Sequence, residues 1–221
     1  MEQSETHYPT PQIQSTKATR WACAVVVAIL FIDQLSKILV KTNMMLEERI
    51  PIISERVYIY FVENPGFAFG MSFGGAAGKI ILTLFRVVAS TLIILYIRSI
   101  IKKGASLGVV IGLSAVLAGA LGNIIDSMFY GLLFSESTYS TVAQFLPEGG
   151  GYASFLQGRV VDMIYCPIIR GTFPEWLPLR GGEPFTFFSP IFNVADAAIT
   201  LGVVYLLLFQ RKFFKVEEKE G

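Results

Sequence analysis

Long apolar runs dominate the chain, and polar segments of unequal length separate them. About 20 helical residues cross the roughly 30 Å of hydrocarbon in a bilayer, and four runs reach that length. These runs cover residues 21–41, 79–98, 106–127 and 190–210. The pattern therefore predicts four transmembrane helices.

The segments between the predicted helices indicate strands and turns. A short basic turn joins the second and third helices, whereas residues 42–78 and 128–189 form two long loops. Aromatic and β-branched residues near Gly and Pro, as in RVYIYFVENPGF and GRVVDMIY, are typical of strands followed by turns. Neither loop has enough apolar residues for a core of its own. We therefore predict an all-α membrane protein of four transmembrane helices, with a small extramembrane β-rich platform built from the two loops.

Composition supports residence in a membrane. The chain is 53% hydrophobic and 16% charged, whereas soluble domains contain roughly 45–50% apolar residues. The first apolar run is too long for a cleaved signal peptide, which makes it a retained anchor. We expect residues 1–19, a tail rich in Gln, Ser and Thr, to be disordered. The four-span domain should cover residues 20–212, and residues 213–221 should form a second tail.

Basic residues near the ends of the runs predict the orientation. They are Lys17 and Arg20 before the first run, Arg98, Lys102 and Lys103 in the short turn, and Arg211 and Lys212 after the last run. Positive charge close to a membrane span favours the cytoplasm. Both termini should therefore be cytoplasmic, and both long loops should lie on the outer side. The net charge of +1 is uninformative as a total, and the sequence gives no reason to expect a nucleic-acid partner.

Charged residues inside a span usually face the helix bundle or a wet cavity. Asp33 and Lys37 are four residues apart, so they share one helix face and can form an ion pair. Two interpretations stay open. The pair either orients the helix or faces a substrate.

Several carboxylates gather near the outer ends of the later helices. The third helix ends with Asn123 and Asp126, and the fourth begins with Asn193 and Asp196, so two Asn-x-x-Asp pairs should face each other at similar depth. Asp162 has an apolar setting in GRVVDMIY. Two neighbouring carboxylates in a low dielectric do not both ionise readily, so one keeps a proton while the other activates water. This pattern predicts aspartic hydrolase chemistry.

Other kinds of catalytic site find little support in the sequence. The single histidine, His7, lies in the polar tail, which disfavours mechanisms that need a buried imidazole base or zinc ligand. Cys23 and Cys166 are far apart, and no CxxC spacing occurs. The sequence therefore shows no metal-binding spacing of the usual kind.

Five stretches of the sequence together resemble one family. They are DQLSK at 33–37, ENPGFAFG at 63–70, GALGNIID at 119–126, GRVVDM at 158–163 and FNVADAAI at 192–199. In this order on a four-span chain, they resemble the lipoprotein signal peptidases, the type II signal peptidases of bacteria. The resemblance covers nearly all of residues 20–210.

The resemblance implies a membrane-embedded aspartyl endopeptidase of the bacterial cytoplasmic (inner) membrane. Such an enzyme removes the signal peptide of diacylglyceryl-modified prolipoproteins by cutting before the lipidated cysteine. Its partners would be these substrates and membrane lipid, and the resemblance implies neither a metal nor an organic cofactor. We expect a monomer with its active site near the outer, periplasmic surface.

By the same matching, the catalytic pair would be Asp162 and Asp196. Helix geometry alone favours Asp126 as the partner of Asp196, and the resemblance instead makes Asp126 a supporting residue. The other residues that it implies in shaping the site are Asp33, Lys37, Asn64, Gly66, Asn123 and Asn193.

Two features depart from the family pattern. Ser127 stands where an Arg usually follows the GNxxD aspartate, and Arg159 and Arg86 are candidates to supply the missing charge. About 35 residues separate Asp126 from Asp162, a longer connection than is usual in the family, and we call this segment the insert. These departures keep an inactive homologue open as an alternative. A proton-coupled membrane transporter is another, because intramembrane Asp, Lys and Asn also build proton relays.

Overall fold

A computed structural model describes residues 11–54, 56–65, 75–167, 169–187, 190–211 and 213. The helices are α1 (Pro11–Asn43), α2 (Gly75–Lys102), α3 (Leu107–Ile125), α4 (Gly131–Leu133) and α5 (Val194–Phe209), with a π-helical turn at Asp126–Tyr130. The strands are β1 (Arg49–Ile53), β2 (Val57–Asn64), β3 (Val160–Tyr165), β4 (Ile169–Thr172), β5 (Pro184–Phe187) and β6 (Ile191–Phe192). Contacts divide the chain into two compact units.

The first unit is helical and includes the residues up to Ile32, Phe85–Gly122 and the residues from Ala195 onward. Its buried core consists of Ala22, Ile97, Ile100, Ile101, Val109, Val110, Leu117 and Leu206. Glycines let α3 and α5 approach closely, since a Cβ added at Gly202 would lie 3.0 Å from the Gly112 carbonyl oxygen. Helices in lipid rely on such close packing because the surrounding acyl chains are as apolar as their side chains.

Among the described residues, three helical segments are long and apolar enough to cross a membrane, namely Ser15–Asn43, Ala77–Lys102 and Leu107–Leu133, and Val194–Phe209 is a shorter apolar helix. They carry large exposed apolar side chains, including Phe31, Phe85, Leu201 and Phe209, which suits contact with lipid. The sequence predicted a fourth transmembrane helix over 190–210, and this prediction places the start of the helix four residues before the observed start at Val194. Ile191 and Phe192 instead pair with β3, and this backbone pairing delays the helix until Val194.

The first helix begins earlier than the sequence predicted. Residues 11–19 belong to α1, so the prediction of disorder is wrong for this part of the tail. Extending an existing helix avoids the cost of nucleation, and the Gln, Lys and Ala residues of this segment have high helix propensity. Residues 1–10 and 214–221 lie outside the described residues.

The second unit contains Asp33–Leu84 and Asn123–Val194. A four-stranded antiparallel sheet in the order β1-β2-β3-β6 forms its centre, and β4 and β5 form a separate two-stranded sheet. The strands predicted in both long loops are therefore confirmed. In the central pair, Val62 lies opposite Asp162 and Asn64 lies opposite Val160.

The two faces of the β2–β3 pair differ in chemistry, because successive side chains of a strand project to opposite faces. Phe61, Val161 and Met163 are buried in one hydrophobic cluster together with Tyr130 and Phe134. Asp162 lies between Val161 and Met163 in β3, so its carboxylate is on the other face. One face thus anchors the sheet, and the other presents an acid.

Within the insert, the later residues pack against α4 and the residue that follows it. Backbone hydrogen bonds run from Leu146 N to Leu133 O at 2.7 Å and from Tyr152 N to Phe134 O at 2.9 Å. The Phe134 ring lies 5.3 Å from the Phe145 ring, centroid to centroid. The insert is therefore a packed part of the second unit.

Candidate active site

Asp162 lies in β3 with two amide donors on its carboxylate. Asn64 Nδ2 is 3.2 Å from Asp162 Oδ2, and Asn193 Nδ2 is 2.7 Å from Asp162 Oδ1. The side chain is buried, with 4% of its surface exposed. Hydrogen bonds to both oxygens fix the plane of the carboxylate and satisfy a group that would otherwise be costly to bury.

Asn193 links Asp162 to a wider buried network. Its Nδ2 also lies 3.1 Å from Asn123 Oδ1, and Lys37 Nζ donates to the same oxygen at 3.0 Å. The predicted meeting of the two Asn-x-x-Asp segments is thus confirmed for their asparagines. The sequence predicted that Asn193 lies within the fourth helix. In the structure Asn193 directly precedes Val194, the first residue of α5. Asp196 lies in the first turn of α5, where a helix N-terminus favours negative charge.

Lys37 binds two carboxylates in the second unit. Its Nζ is 2.9 Å from Asp33 Oδ2 and 2.8 Å from Asp126 Oδ2, and all three side chains are fully buried. The predicted Asp33–Lys37 ion pair is therefore confirmed, with Asp126 as a third member.

Asp126 joins the helical and strand parts of this unit. Gln34 Nε2 donates to Asp126 Oδ1 at 2.9 Å, and the backbone N–H of Val161 donates to Asp126 Oδ2 at 3.2 Å. Both oxygens thus have donors, one of them a cation. The carboxylate that helix geometry favoured for catalysis is engaged in holding β3.

A second polar cluster lies beside this network, and no prediction from the sequence included it as a cluster. Lys41 and Glu63 form a buried ion pair, and Arg159 Nη1 is 2.9 Å from Glu63 Oε2. Burial alone would raise the pKa of Glu63, but the charge of Lys41 and hydrogen bonds from Lys41, Arg159 and Ser137 hold it below its ordinary value. Two signals were available, since Lys41 follows Lys37 by one helical turn and Glu63 interrupts an apolar strand.

The structure shows which cation lies beside Asp126 although Ser127 replaces the expected Arg. Its hydroxyl donates to the Asn123 carbonyl oxygen at 2.9 Å, and Lys37 provides the positive charge next to Asp126. The partners found for Arg159 are Glu63 and Glu136, so the hypothesis that Arg159 compensates for the missing Arg is wrong.

Gly66, which the resemblance also implies, lies outside the described residues. Within the described ranges, no cluster of His, Cys, Asp or Glu has a metal-binding arrangement.

Gly158, from the GRVVDM stretch, sits where a side chain does not fit. A Cβ at this position would overlap the Asp126 carbonyl oxygen and lie 3.0 Å from the Gly131 nitrogen. We expect Gly158→Ala to lower the free energy of unfolding by about 1–3 kcal/mol, as overpacking does. Thermal unfolding in one detergent measures this. Gly149→Ala is the matched control, since a Cβ there meets nothing within 4 Å, and equal melting temperatures for the two variants would contradict the prediction.

Comparisons with known proteins identify the family and the fold of the chain. The family model Peptidase_A8, signal peptidase (SPase) II, matches residues 25–212. A solved bacterial membrane enzyme, determined by the in meso method at 2.3 Å resolution, has the same fold with a TM-score of 0.54 and 24% identity, covering 86% of this chain and 87% of that chain.

Two relatives with higher sequence identity are lipoprotein signal peptidases. The lipoprotein signal peptidase of Porphyromonas gingivalis is 46% identical over 186 residues, which cover 84% of this chain and 80% of the relative. That of Amoebophilus asiaticus is 36% identical over 183 residues, covering 81% of this chain and 73% of the relative. With a family model that matches most of its length, the chain belongs to the lipoprotein signal peptidase family, whose members are signal peptidases II.

Proposed function

We propose that Asp162 and Asp196 are the catalytic pair of this aspartic peptidase. One carboxylate would act as general base on a water molecule, and the other would act as general acid toward the departing amine. The observation that carries the proposal is the buried Asp162 carboxylate with an amide donor on each oxygen, from Asn64 and Asn193. Asp196 follows Asn193 by three residues in the chain.

The donors around the two buried acids support Asp162 rather than Asp126 as the reacting group. Asp126 is bound to Lys37, and protonating it would break a buried ion pair at high cost. Asp162 receives hydrogen bonds from neutral amides, which tolerate either protonation state of a carboxylate better than a lysine does. We therefore assign Asp126 a structural role in holding β3.

Asn193 serves in this proposal as a positioning residue. It donates to Asp162 and to Asn123 Oδ1 from one nitrogen, so its amide plane is set by both contacts. Lys37 donates to the same Asn123 oxygen. The buried ion triad thereby supports the orientation of Asp162 through two amides.

The chain is a multi-pass membrane protein of bacteria. We place both termini in the cytoplasm, because basic residues such as Lys17, Arg20 and Lys103 flank the helices at these ends. The loops that carry Asn64 and Asp162 would then lie on the outer side. A lipidated cysteine, anchored in the membrane by its acyl chains, would present the scissile bond there.

Cleavage should depend on lipidation of the substrate. We expect the purified protein in lipid nanodiscs to release the signal peptide of a diacylglyceryl-modified prolipoprotein, and to cut the unlipidated form at least about 100-fold more slowly. The reason is that the acyl chains contribute binding energy and hold the cysteine at membrane depth. Mass spectrometry of the products measures both rates.

The matched control is one precursor preparation, divided before diacylglyceryl transfer. Equal cleavage of both forms would contradict the proposed substrate class. Absence of cleavage from both would favour the inactive homologue. Family membership already argues against the transporter interpretation.

A further inference from the structure

The Lys41–Glu63–Arg159 cluster is built on the two strands that hold the Asp162 site. Glu63 directly precedes Asn64, whose amide donates to Asp162. Arg159 directly precedes β3 and lies three residues before Asp162. Neighbouring side chains of a strand project to opposite faces, so Glu63 lies behind the face that carries Asn64. Whatever fixes Glu63 also fixes the backbone from which Asn64 projects.

Glu63 is held by three donors from separate parts of the chain. Its Oε1 accepts from Lys41 and, at 2.9 Å, from the Ser137 hydroxyl. Its Oε2 accepts from Arg159 Nη1 at 2.9 Å. The Glu63 side chain is 2% exposed, and a buried carboxylate with several charged donors has a well-defined position.

The insert supplies much of this cluster. The Ser137 hydroxyl accepts from Lys41 Nζ at 2.9 Å as well as donating to Glu63. The Tyr152 hydroxyl accepts from the Arg159 backbone N–H at 2.6 Å. The Tyr152 ring also contacts both cations, with its centroid 5.0 Å from Lys41 Nζ and 5.0 Å from Arg159 Cζ. Ser137 and Tyr152 of the insert thus contact the end of β2 through Glu63 and the residue before β3 through Arg159.

We propose that the insert is a brace for the catalytic carboxylate, and that Ser137, Glu63 and Arg159 are positioning residues that keep the Asn64 amide against Asp162. This inference rests on the proposed catalytic role of Asp162. Glu63 lies on the opposite face of the strand from Asn64, so the brace should change turnover more than substrate affinity.

A double-mutant cycle tests the brace. Ser137→Ala and Glu63→Gln are measured alone and combined with Asn64→Ala, using a peptide whose cysteine carries a dipalmitoylglyceryl thioether. We expect Ser137→Ala to lower kcat about 3- to 10-fold and Glu63→Gln to lower it further, with KM changed less than about twofold. In the Asn64→Ala background, each should lower kcat less than about twofold, because the hydrogen bond that the brace holds is already absent.

Multiplicative effects in the cycle would overturn the brace, since residues that act independently do not couple. Glu148→Gln is the charge-matched control, at an exposed position of the insert, and its kcat should equal that of the unmodified protein. A loss equal to that of Glu63→Gln would show a general effect of charge and would also overturn the brace. If Glu63→Gln yields no folded protein, Ser137→Ala, which removes one hydroxyl, decides the result.

The pH profile provides a second readout if Asn64→Ala has too little activity for the cycle. A carboxylate that loses a hydrogen-bond donor holds its proton more tightly, so the acid limb of kcat should move to higher pH in Ser137→Ala. An unchanged limb would overturn the brace. Asp162→Asn separates failure of the brace from failure of the proposed catalytic role of Asp162. If Asp162→Asn cleaves as fast as the unmodified protein, the proposed function and the brace are overturned together. If Asp162→Asn is inactive but the effects in the double-mutant cycle are multiplicative, only the brace is overturned.

Discussion

Replacing Asp162 by Asn is expected to lower the rate of prolipoprotein cleavage at least about 1000-fold. Asparagine has nearly the shape of aspartate, and its oxygen can still accept a hydrogen bond from Asn193 or Asn64. It cannot take a proton from water, so the proposed step is lost. The exchange leaves one of the two amide donors facing an amide NH2 group, a change worth about 1–3 kcal/mol in stability. The variant should therefore fold and fail to cleave.

The comparison with other buried acids makes this test specific. Asp196→Asn should be as inactive as Asp162→Asn. Asp126→Asn should cleave at a reduced rate and melt at a lower temperature, because Lys37 then pairs with Asp33 alone. Cleavage rates and melting temperatures of all three variants are measured in the same nanodiscs. Normal cleavage by Asp162→Asn, together with loss of cleavage in Asp126→Asn, would move the catalytic role to Asp126.

The parts of the fold that depend on local sequence were predictable. Length and apolarity decide whether a run can form a membrane helix, and the strands containing Tyr58 and Val161 follow from alternating aromatic and β-branched residues. The Asp33–Lys37 pair follows from its i,i+4 spacing. Each of these inferences needs only one short segment of the chain.

The parts that depend on long-range pairing were not predictable. Asn193 precedes the helix because Ile191 and Phe192 pair with β3, which no local pattern of residues 190–200 reveals. Glu63 takes its partners from α1 and from two distant positions of the insert, Ser137 and Arg159. The choice of Asp162 as a catalytic residue came from the family resemblance, whereas helix geometry favoured Asp126.

Replacing Lys37 by Met should cause the largest loss of stability of any substitution considered. The variant leaves Asp33 and Asp126 fully buried without the ammonium group that lies within 3 Å of both. Removing one partner of a buried ion pair costs about 3–5 kcal/mol, and a whole domain has only about 5–15 kcal/mol of stability. We expect little monodisperse protein after detergent extraction, and a strongly lowered melting temperature for any that is obtained.

A compensated variant separates the two interpretations that the sequence left open for Asp33 and Lys37. Lys37→Met combined with Asp33→Asn and Asp126→Asn removes all three charges, and a neutral replacement of a buried ion cluster often restores stability. If this triple variant folds and still cleaves, the three charges serve the fold, because they orient α1 and hold β3 through the Val161 N–H. If it folds but does not cleave, the charges act on the substrate or on Asp162 through Asn123. Unchanged melting of Lys37→Met alone would contradict the structural role of the triad, since two buried carboxylates would then tolerate the loss of their shared cation.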